Sequence, residues 1–215
     1  MDNIKELLEL TNIPNLENCN LKLIQEFHDE FLGKYLFIYK LSNGLELKIR
    51  FYTENLPHLL GIHKVVKDRK IKKLYQGKKG YEGIVDGRIT IDNLKNLDNQ
   101  LKDEDKQLAA ITTKITCFHL IPKLLDECNV VKFYPERVKG RCTLKSEFIL
   151  FHEELGVRLH LGVLKDTENS TIYVPETFIV KGQRDRDRTR LTEKQEFKSV
   201  VEREKIFISD IINEK

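Results

Sequence analysis

Apolar residues recur at helical spacing from residue 19 to residue 32, which predicts an amphipathic helix there. Leu23 and His28 fall outside its apolar stripe. A second helical pattern covers residues 107–127, and Pro122 predicts a kink or interruption within it because proline lacks the N–H that a helix interior needs. Helical spacing therefore marks an early surface helix and a later, mostly buried one.

Two alternating, aromatic-rich runs, residues 34–41 and 45–52, flank Ser42-Asn43-Gly44. Asn-Gly tolerates the positive φ angles of a tight turn, so these runs predict a β-hairpin. The stretch NLPHLLGIHKVV follows at residues 55–66. Pro57 is compatible with a first helical turn, and a short helix is predicted over residues 58–66.

The apolar period changes from helix to strand near residue 129. Antiparallel strands in a meander are predicted for four runs, residues 129–135, 142–154, 157–166 and 170–182. In the third run Val157, Leu159, Leu161 and Val163 share one face, as in a strand buried on one side.

Residues 191–207 predict a final helix, with Thr192 and Gln195 spaced as a capping box. The predicted fold is thus a single α+β domain over residues 1–215. It has an N-terminal helix and hairpin, a helical middle, a C-terminal four-stranded antiparallel meander and a final helix.

The composition is that of a globular protein with a substantial core, because 40% of its 215 residues are hydrophobic and 33% are charged. No run approaches the roughly 20 apolar residues of a membrane-spanning helix, and the N-terminus MDNIKELLEL lacks a basic leader. We therefore expect a cytoplasmic protein with no membrane partner. Four scattered cysteines predict reduced thiols rather than a disulfide framework or metal site, and no cofactor is expected.

The net charge of +3 is modest, but cations concentrate in residues 64–79. Eight Lys/Arg face one acid there, Asp68, a local balance of 8 − 1 = +7. Such a run is usually a solvated helix face, yet beside two histidines it would attract a polyanion. With a second basic cluster at residues 134–146, it supplies the candidate nucleic-acid-binding residues Lys64, Lys67, Lys70, Lys72, Lys73, Arg137 and Lys139.

His58 and His63 lie five residues apart in an apolar stretch. This spacing differs from the i, i+4 pair of HEXXH metalloproteases, and no Glu or Cys lies between the two, so the pattern disfavours zinc. Two interpretations remain open. Each histidine could bond to backbone at a helix end, or one could serve in general acid–base catalysis, since imidazole titrates near neutral pH.

Pro175 interrupts the strand YVPETFIV and predicts an edge or a bulge, which would re-aim Glu176 and Thr177. Facing Lys145 and a histidine, either side chain could act in catalysis, although Thr177 could equally be an ordinary sheet-surface residue. The loop at residues 181–190 alternates Arg and Asp, which fits either internal ion pairing or phosphate binding.

The hairpin followed by LPHLLG (Leu56–Gly61), the lysine in TLKSEFILF and the strand PETFIV together resemble one family. It is the phage-associated branch of the barnase–EndoU–colicin–RelE-like nuclease superfamily, and the resemblance covers roughly residues 30–205. It implies helices followed by a curved antiparallel sheet. It also implies metal-independent RNA cleavage, in which side chains deprotonate the ribose 2′-OH, stabilise the pentavalent phosphate and protonate the leaving 5′-oxygen.

The resemblance makes His58 the candidate acid or base, Lys145 and Arg141 the candidate phosphate stabilisers, and Thr177 the group that orients the phosphate. His63, His160 and Lys64 are second choices. The resemblance also implies a toxin or phage-defence role, with RNA as substrate and an antitoxin or immunity protein as a partner. A non-enzymatic nucleic-acid-binding or interaction module remains the alternative. A metal-dependent nuclease lacks the paired acids it would need.

Overall fold

The computed structural model describes residues 3–213, and the side chains of residues 3–210. The chain forms two compact units. The helical unit comprises Met1–Phe31 and Tyr52–Leu120, and the sheet unit comprises Leu32–Phe51 and Ile121–Lys215.

Seven α-helices are described in the helical unit. They are α1 (Ile4–Leu8), α2 (Leu21–His28), α3 (Asn55–Leu60), α4 (Arg69–Lys72), α5 (Gly77–Val85), α6 (Ile91–Asn99) and α7 (Leu108–Thr116). The helix predicted over residues 19–32 is confirmed as α2, which continues into a π-helical turn at Asp29–Gly33. Leu23 and His28 lie off the apolar stripe but are buried, because α1 and α5 both pack on α2 and cover more than one of its sides.

Helix α3 is shorter than the helix predicted over residues 58–66. It begins at Asn55, ends at Leu60, and gives way to a 3-10 turn at Ile62–Val65. Gly61 causes this ending because it adopts a left-handed conformation with φ of 73°, which glycine reaches without strain. Leu56, Leu59 and Leu60 are buried, and α5 and α7 pack against α3.

The predicted interruption within residues 107–127 is confirmed. Helix α7 ends at Thr116, a 3-10 turn follows at Phe118–Leu120, and α8 (Ile121–Glu127) begins in the sheet unit. Pro122 lies at the second residue of α8, where its missing N–H is tolerated.

By length and hydropathy alone, the stretch Asp103–Glu127 could cross a membrane, contrary to the expectation from the sequence. However, 56% of its most apolar window is buried, and buried core helices pass the same test.

Eight strands form one sheet in the order β7-β3-β4-β5-β6-β2-β1-β8. They are β1 (Tyr35–Leu41), β2 (Glu46–Arg50), β3 (Asn129–Lys132), β4 (Phe148–Glu154), β5 (Val157–Lys165), β6 (Ile172–Gly182), β7 (Glu196–Lys198) and β8 (Val200–Phe207). The hairpin is confirmed as β1–β2, with Gly44 at a φ of 82° in its turn. The sheet is larger than the four-stranded meander we expected, because β2 joins β6 in parallel and the C-terminal segment adds β7 and β8.

The final helix predicted over residues 191–207 is wrong. Those residues supply β7 and β8, and a short helix, α9 (Ile208–Asn213), comes after them. Val200, Val201 and Ile206 are β-branched residues that favour a strand, and β8 and β7 pair with β1 and β3, respectively. Gln195 forms no capping box, because its side-chain amide bonds to the backbone N–H and C=O of Tyr134 at 2.8 and 3.2 Å.

Both faces of β5 are covered. Val157, Leu159, Leu161 and Val163 are buried on one face, as predicted. The opposite face carries His160 and Gly162, which are buried as well. The sheet unit also contains a hydrophobic core cluster of Val131, Phe133, Val138, Ile149 and Leu191.

Candidate functional site

The rings of His58 and His63 stack in the helical unit, with centroids 5.2 Å apart and planes 5° from parallel. Gly61 makes this possible, because its left-handed turn ends α3 and brings residue 63 back beside residue 58. The Gly61 N–H donates to the carbonyl of His58 at 3.0 Å, which closes the turn. His58 is exposed whereas His63 is buried, so the outer ring is accessible and the inner ring supports it.

Positive charge surrounds the inner ring. Burial lowers the pKa of His63 most, and together with the charges of His58, Lys72, Lys64 and Lys114 it brings that pKa to about 4. Its Nδ1 atom is buried without a hydrogen-bond partner. His63 is therefore a neutral imidazole at pH 7, enclosed by cations.

Lys114, on α7, belongs to this cluster but was not among the sequence candidates. Burial, and to a smaller extent the positive charge of Lys64, lower its pKa to about 7. Within residues 3–210, no carboxylate contributes to this shift. The sequence signal was present, since Lys114 is the one Asp, Glu, Lys or Arg between Lys106 and Lys123. We call His58, His63, Lys64, Lys72 and Lys114 the histidine–lysine cluster.

Most cations of the 64–79 run lack an acidic partner. Lys67 pairs with Asp105, and Lys78 lies 4.0 Å from Glu82. Asp68 caps α4, accepting a bond of 2.7 Å from the N–H of Lys70. Six cations have no carboxylate partner among the described residues: Lys64, Arg69, Lys70, Lys72, Lys73 and Lys79.

The predicted bulge in β6 is confirmed in the sheet unit. Thr177 pairs with Gly162 and Pro175 pairs with Val163, so Glu176 is the extra residue. Its carboxylate accepts the backbone N–H of Lys145 at 2.9 Å and the hydroxyl of Ser146. Glu176 thus anchors the segment before β4 through the backbone of Lys145, and the Lys145 side chain remains exposed.

A pocket of about 220 Å³ lies in the sheet unit, and we call it the arginine pocket. Two sequence candidates, Arg141 and His160, line it together with Lys181, Asp187 and Arg190. Burial lowers the pKa of His160 to about 4, and the positive charge of Arg158 acts in the same direction. His160 is only 1% exposed, so its ring forms part of a buried wall.

The remaining predicted cations of the sheet unit lie in the 134–146 segment. The guanidinium of Arg137 stacks on the ring of Tyr134, 4.0 Å from its centroid. Lys139 is exposed. The structure thus brings His58, His63, Lys64 and Lys72 together in one unit, and Arg141 and His160 in the other. Thr177 and Lys145 lie at the β6 bulge rather than in the lining of the arginine pocket.

Across the described part of the chain, no group of three or more His, Cys, Asp or Glu side chains could hold a metal ion. The chemistry available to the histidine–lysine cluster is proton transfer and stabilisation of negative charge. The arginine pocket offers anion binding.

One protein family has a sequence model that matches residues 21–211, which is most of the 215-residue chain. The matched span includes the histidine–lysine cluster, the bulge and the arginine pocket. No curated protein and no solved structure matches the chain. The resemblance based on LPHLLG and the late strands is confirmed, and the chain belongs to the phage-Barnase-EndoU-ColicinE5/D-RelE like nuclease 4 family.

Proposed function

We propose that this member of a nuclease family is a metal-independent ribonuclease that cleaves RNA through attack by the ribose 2′-OH. The observation that carries the proposal is the stacked pair of His58 and His63, ringed by Lys64, Lys72 and Lys114. Such a reaction needs a group that moves protons near neutral pH and cations that stabilise the pentavalent phosphate. The cluster holds both within one unit.

His58 is the proton-transfer group in this proposal because its ring is exposed to a substrate. His63 stacks behind it and stays neutral, so it orients His58 without adding a second full charge. Lys64 is exposed beside the pair and would stabilise charge on the phosphate oxygens.

Lys114 is the second candidate for proton transfer. A lysine whose pKa is about 7 exchanges its proton near neutral pH, which an ordinary lysine does not. Perturbed lysines and histidines gathered in one place are characteristic of catalytic sites. Lys114 could thus protonate the leaving 5′-oxygen while His58 accepts the proton of the 2′-OH.

The 64–79 run provides the field that brings RNA to the cluster. Its six cations without acidic partners would exchange counterions for backbone phosphates, which gives binding that weakens steeply with salt. Lys145, Arg141, Thr177 and His160 in the sheet unit stay proposed contributors to phosphate binding.

The test uses the purified chain, EDTA and two RNA oligonucleotides that differ by one 2′-deoxy substitution at the cleaved position. We expect cleavage of the all-ribose strand, a 2′,3′-cyclic phosphate end, and no cleavage at the deoxy position. Intact RNA in the presence of folded protein contradicts the proposal, as does equal cleavage of both strands.

The same cations also favour a second candidate, a module that binds nucleic acid without cleaving it. It predicts salt-dependent RNA binding, no product in the assay above, and full biological activity of His58→Ala. The ribonuclease proposal extends to a toxin or phage-defence role restrained by an antitoxin or immunity protein. Induced expression should then arrest bacterial growth with the wild-type chain and not with His58→Ala.

A further inference from the structure

We propose that the arginine pocket binds one backbone phosphate of a single-stranded nucleic acid, with Arg141 and Arg190 as its cationic contacts. This proposal deepens the proposed function and rests on it for the identity of the ligand. The pocket and its charges lie within the sheet unit alone.

Arg190 is built into the pocket wall. Its Nη2 atom donates to the backbone carbonyl of Arg141 at 2.8 Å, which ties the turn before β7 to the segment before β4. Its Nε atom is buried without a hydrogen-bond partner. Because the bond to Arg141 uses the carbonyl, the exposed Arg141 side chain is left to contact a ligand.

His160 is a buried, neutral part of the same wall. Both of its ring nitrogens are shielded from solvent, and the Ile179 backbone is a hydrogen-bond neighbour of the ring. The histidine therefore shapes the pocket and leaves contact with an anion to the two arginines.

The charges of the pocket suit a single anion. Lys181 is occupied by Asp187, with Nζ at 2.9 and 2.8 Å from its two carboxylate oxygens. Arg141 and Arg190 therefore carry the net positive charge of the lining. A volume of about 220 Å³ accommodates a phosphate with part of its sugar.

The test measures binding of a fluorescent 2′-O-methyl RNA oligonucleotide, which lacks the 2′-OH needed for cleavage. We expect Arg141→Gln to weaken binding about tenfold, the order of one charge-assisted hydrogen bond, and to reduce the salt slope by about 0.7. The matched control is Arg186→Gln, which removes an exposed arginine from the neighbouring turn outside the pocket lining. Asp187→Asn removes the opposing charge and should tighten binding.

Equal effects of Arg141→Gln and Arg186→Gln overturn the proposal, because they would show only a diffuse surface charge. The proposal is also overturned if Asp187→Asn binds the oligonucleotide more weakly than the wild-type chain while its thermal unfolding midpoint is unchanged. The probe cannot be cleaved, so these outcomes are independent of catalysis. Failure of the ribonuclease proposal would instead appear as intact all-ribose RNA in the cleavage assay.

Discussion

The imidazole rings of His58 and His63 lie parallel, 5.2 Å apart, on the two sides of the Gly61 turn. Two stacked imidazoles repel each other when both are protonated. His63 is the buried ring, and its lowered pKa means that it loses its proton as the pH rises above about 4. In the proposed mechanism, the pair therefore acts as one exposed proton-transfer group on a neutral support. This arrangement separates the roles of two residues that are chemically identical in the sequence.

Replacing His58 by Ala should reduce RNA cleavage by about 10²–10⁴-fold, the usual contribution of a general acid or base. The thermal unfolding midpoint should hardly change, because the side chain is exposed. Single-turnover cleavage and thermal unfolding measure the two quantities. His152→Ala, on β4, is the matched histidine control and should keep its cleavage rate. Wild-type activity in His58→Ala would remove this residue from the mechanism.

Replacing Lys114 by Met should stabilise the protein more at pH 7 than at pH 10. The folded pKa of Lys114 is about 7, below its ordinary value of 10.5. Between those values the unfolded chain binds a proton that the folded chain lacks, so wild-type stability rises with pH across this window. Urea unfolding at several pH values measures the difference. Lys79→Met controls for removal of an exposed charge, and a pH-independent gain in Lys114→Met would contradict the prediction.

Substituting Gln for both Lys70 and Lys73 should weaken RNA binding and flatten its salt dependence. Neither lysine has an acidic partner among the described residues, so both are available to phosphates. The salt slope should fall by about 0.7 for each phosphate of a single strand that the variant no longer neutralises. Lys67→Gln is the control, because Lys67 already pairs with Asp105 and should contribute less. Fluorescence anisotropy titrations from low to high salt compare the salt slope of the double variant with that of Lys67→Gln.

Replacing Gly162 by Ala should destabilise the sheet unit by about 1–3 kcal/mol, the usual cost of overpacking. A Cβ atom there would overlap the Ser146 hydroxyl and lie 2.9 Å from Cγ2 of Thr177. Gly182→Ala, in the last position of β6, meets only Asp185 Oδ2 at 3.9 Å and should be nearly neutral. Denaturant unfolding compares the two, and equal stability would mean that the bulge region adjusts freely.

Local patterns predicted the elements whose partners lie nearby in the chain. Asn-Gly specified the β1–β2 hairpin because only a few residues can adopt its turn geometry. Pro175 indicated the bulge because proline cannot donate to the ladder. The helix predicted over residues 191–207 was wrong. Local spacing there was compatible with a helix, but the segment pairs with the distant strands β1 and β3 and therefore forms strands.

The residues of the candidate site also differ in whether nearby or distant parts of the chain determine them. LPHLLG indicated the family and selected His58, since those residues are contiguous. Lys114 was missed because its lowered pKa comes from burial and from Lys64, fifty positions earlier in the chain. His160 was predicted on an open sheet face, and the segments before β4 and after β6 bury it.

By itself, the sequence determined the hairpin, the early helix, the bulge, the family and the basic run, because each depends on residues adjacent in the chain. Only the tertiary structure decided the eight-stranded sheet, the stacking of His58 on His63, the lowered pKa of Lys114 and the arginine pocket. Strand pairing, burial and electrostatic neighbours all depend on residues far apart in sequence, and folding alone brings those residues together.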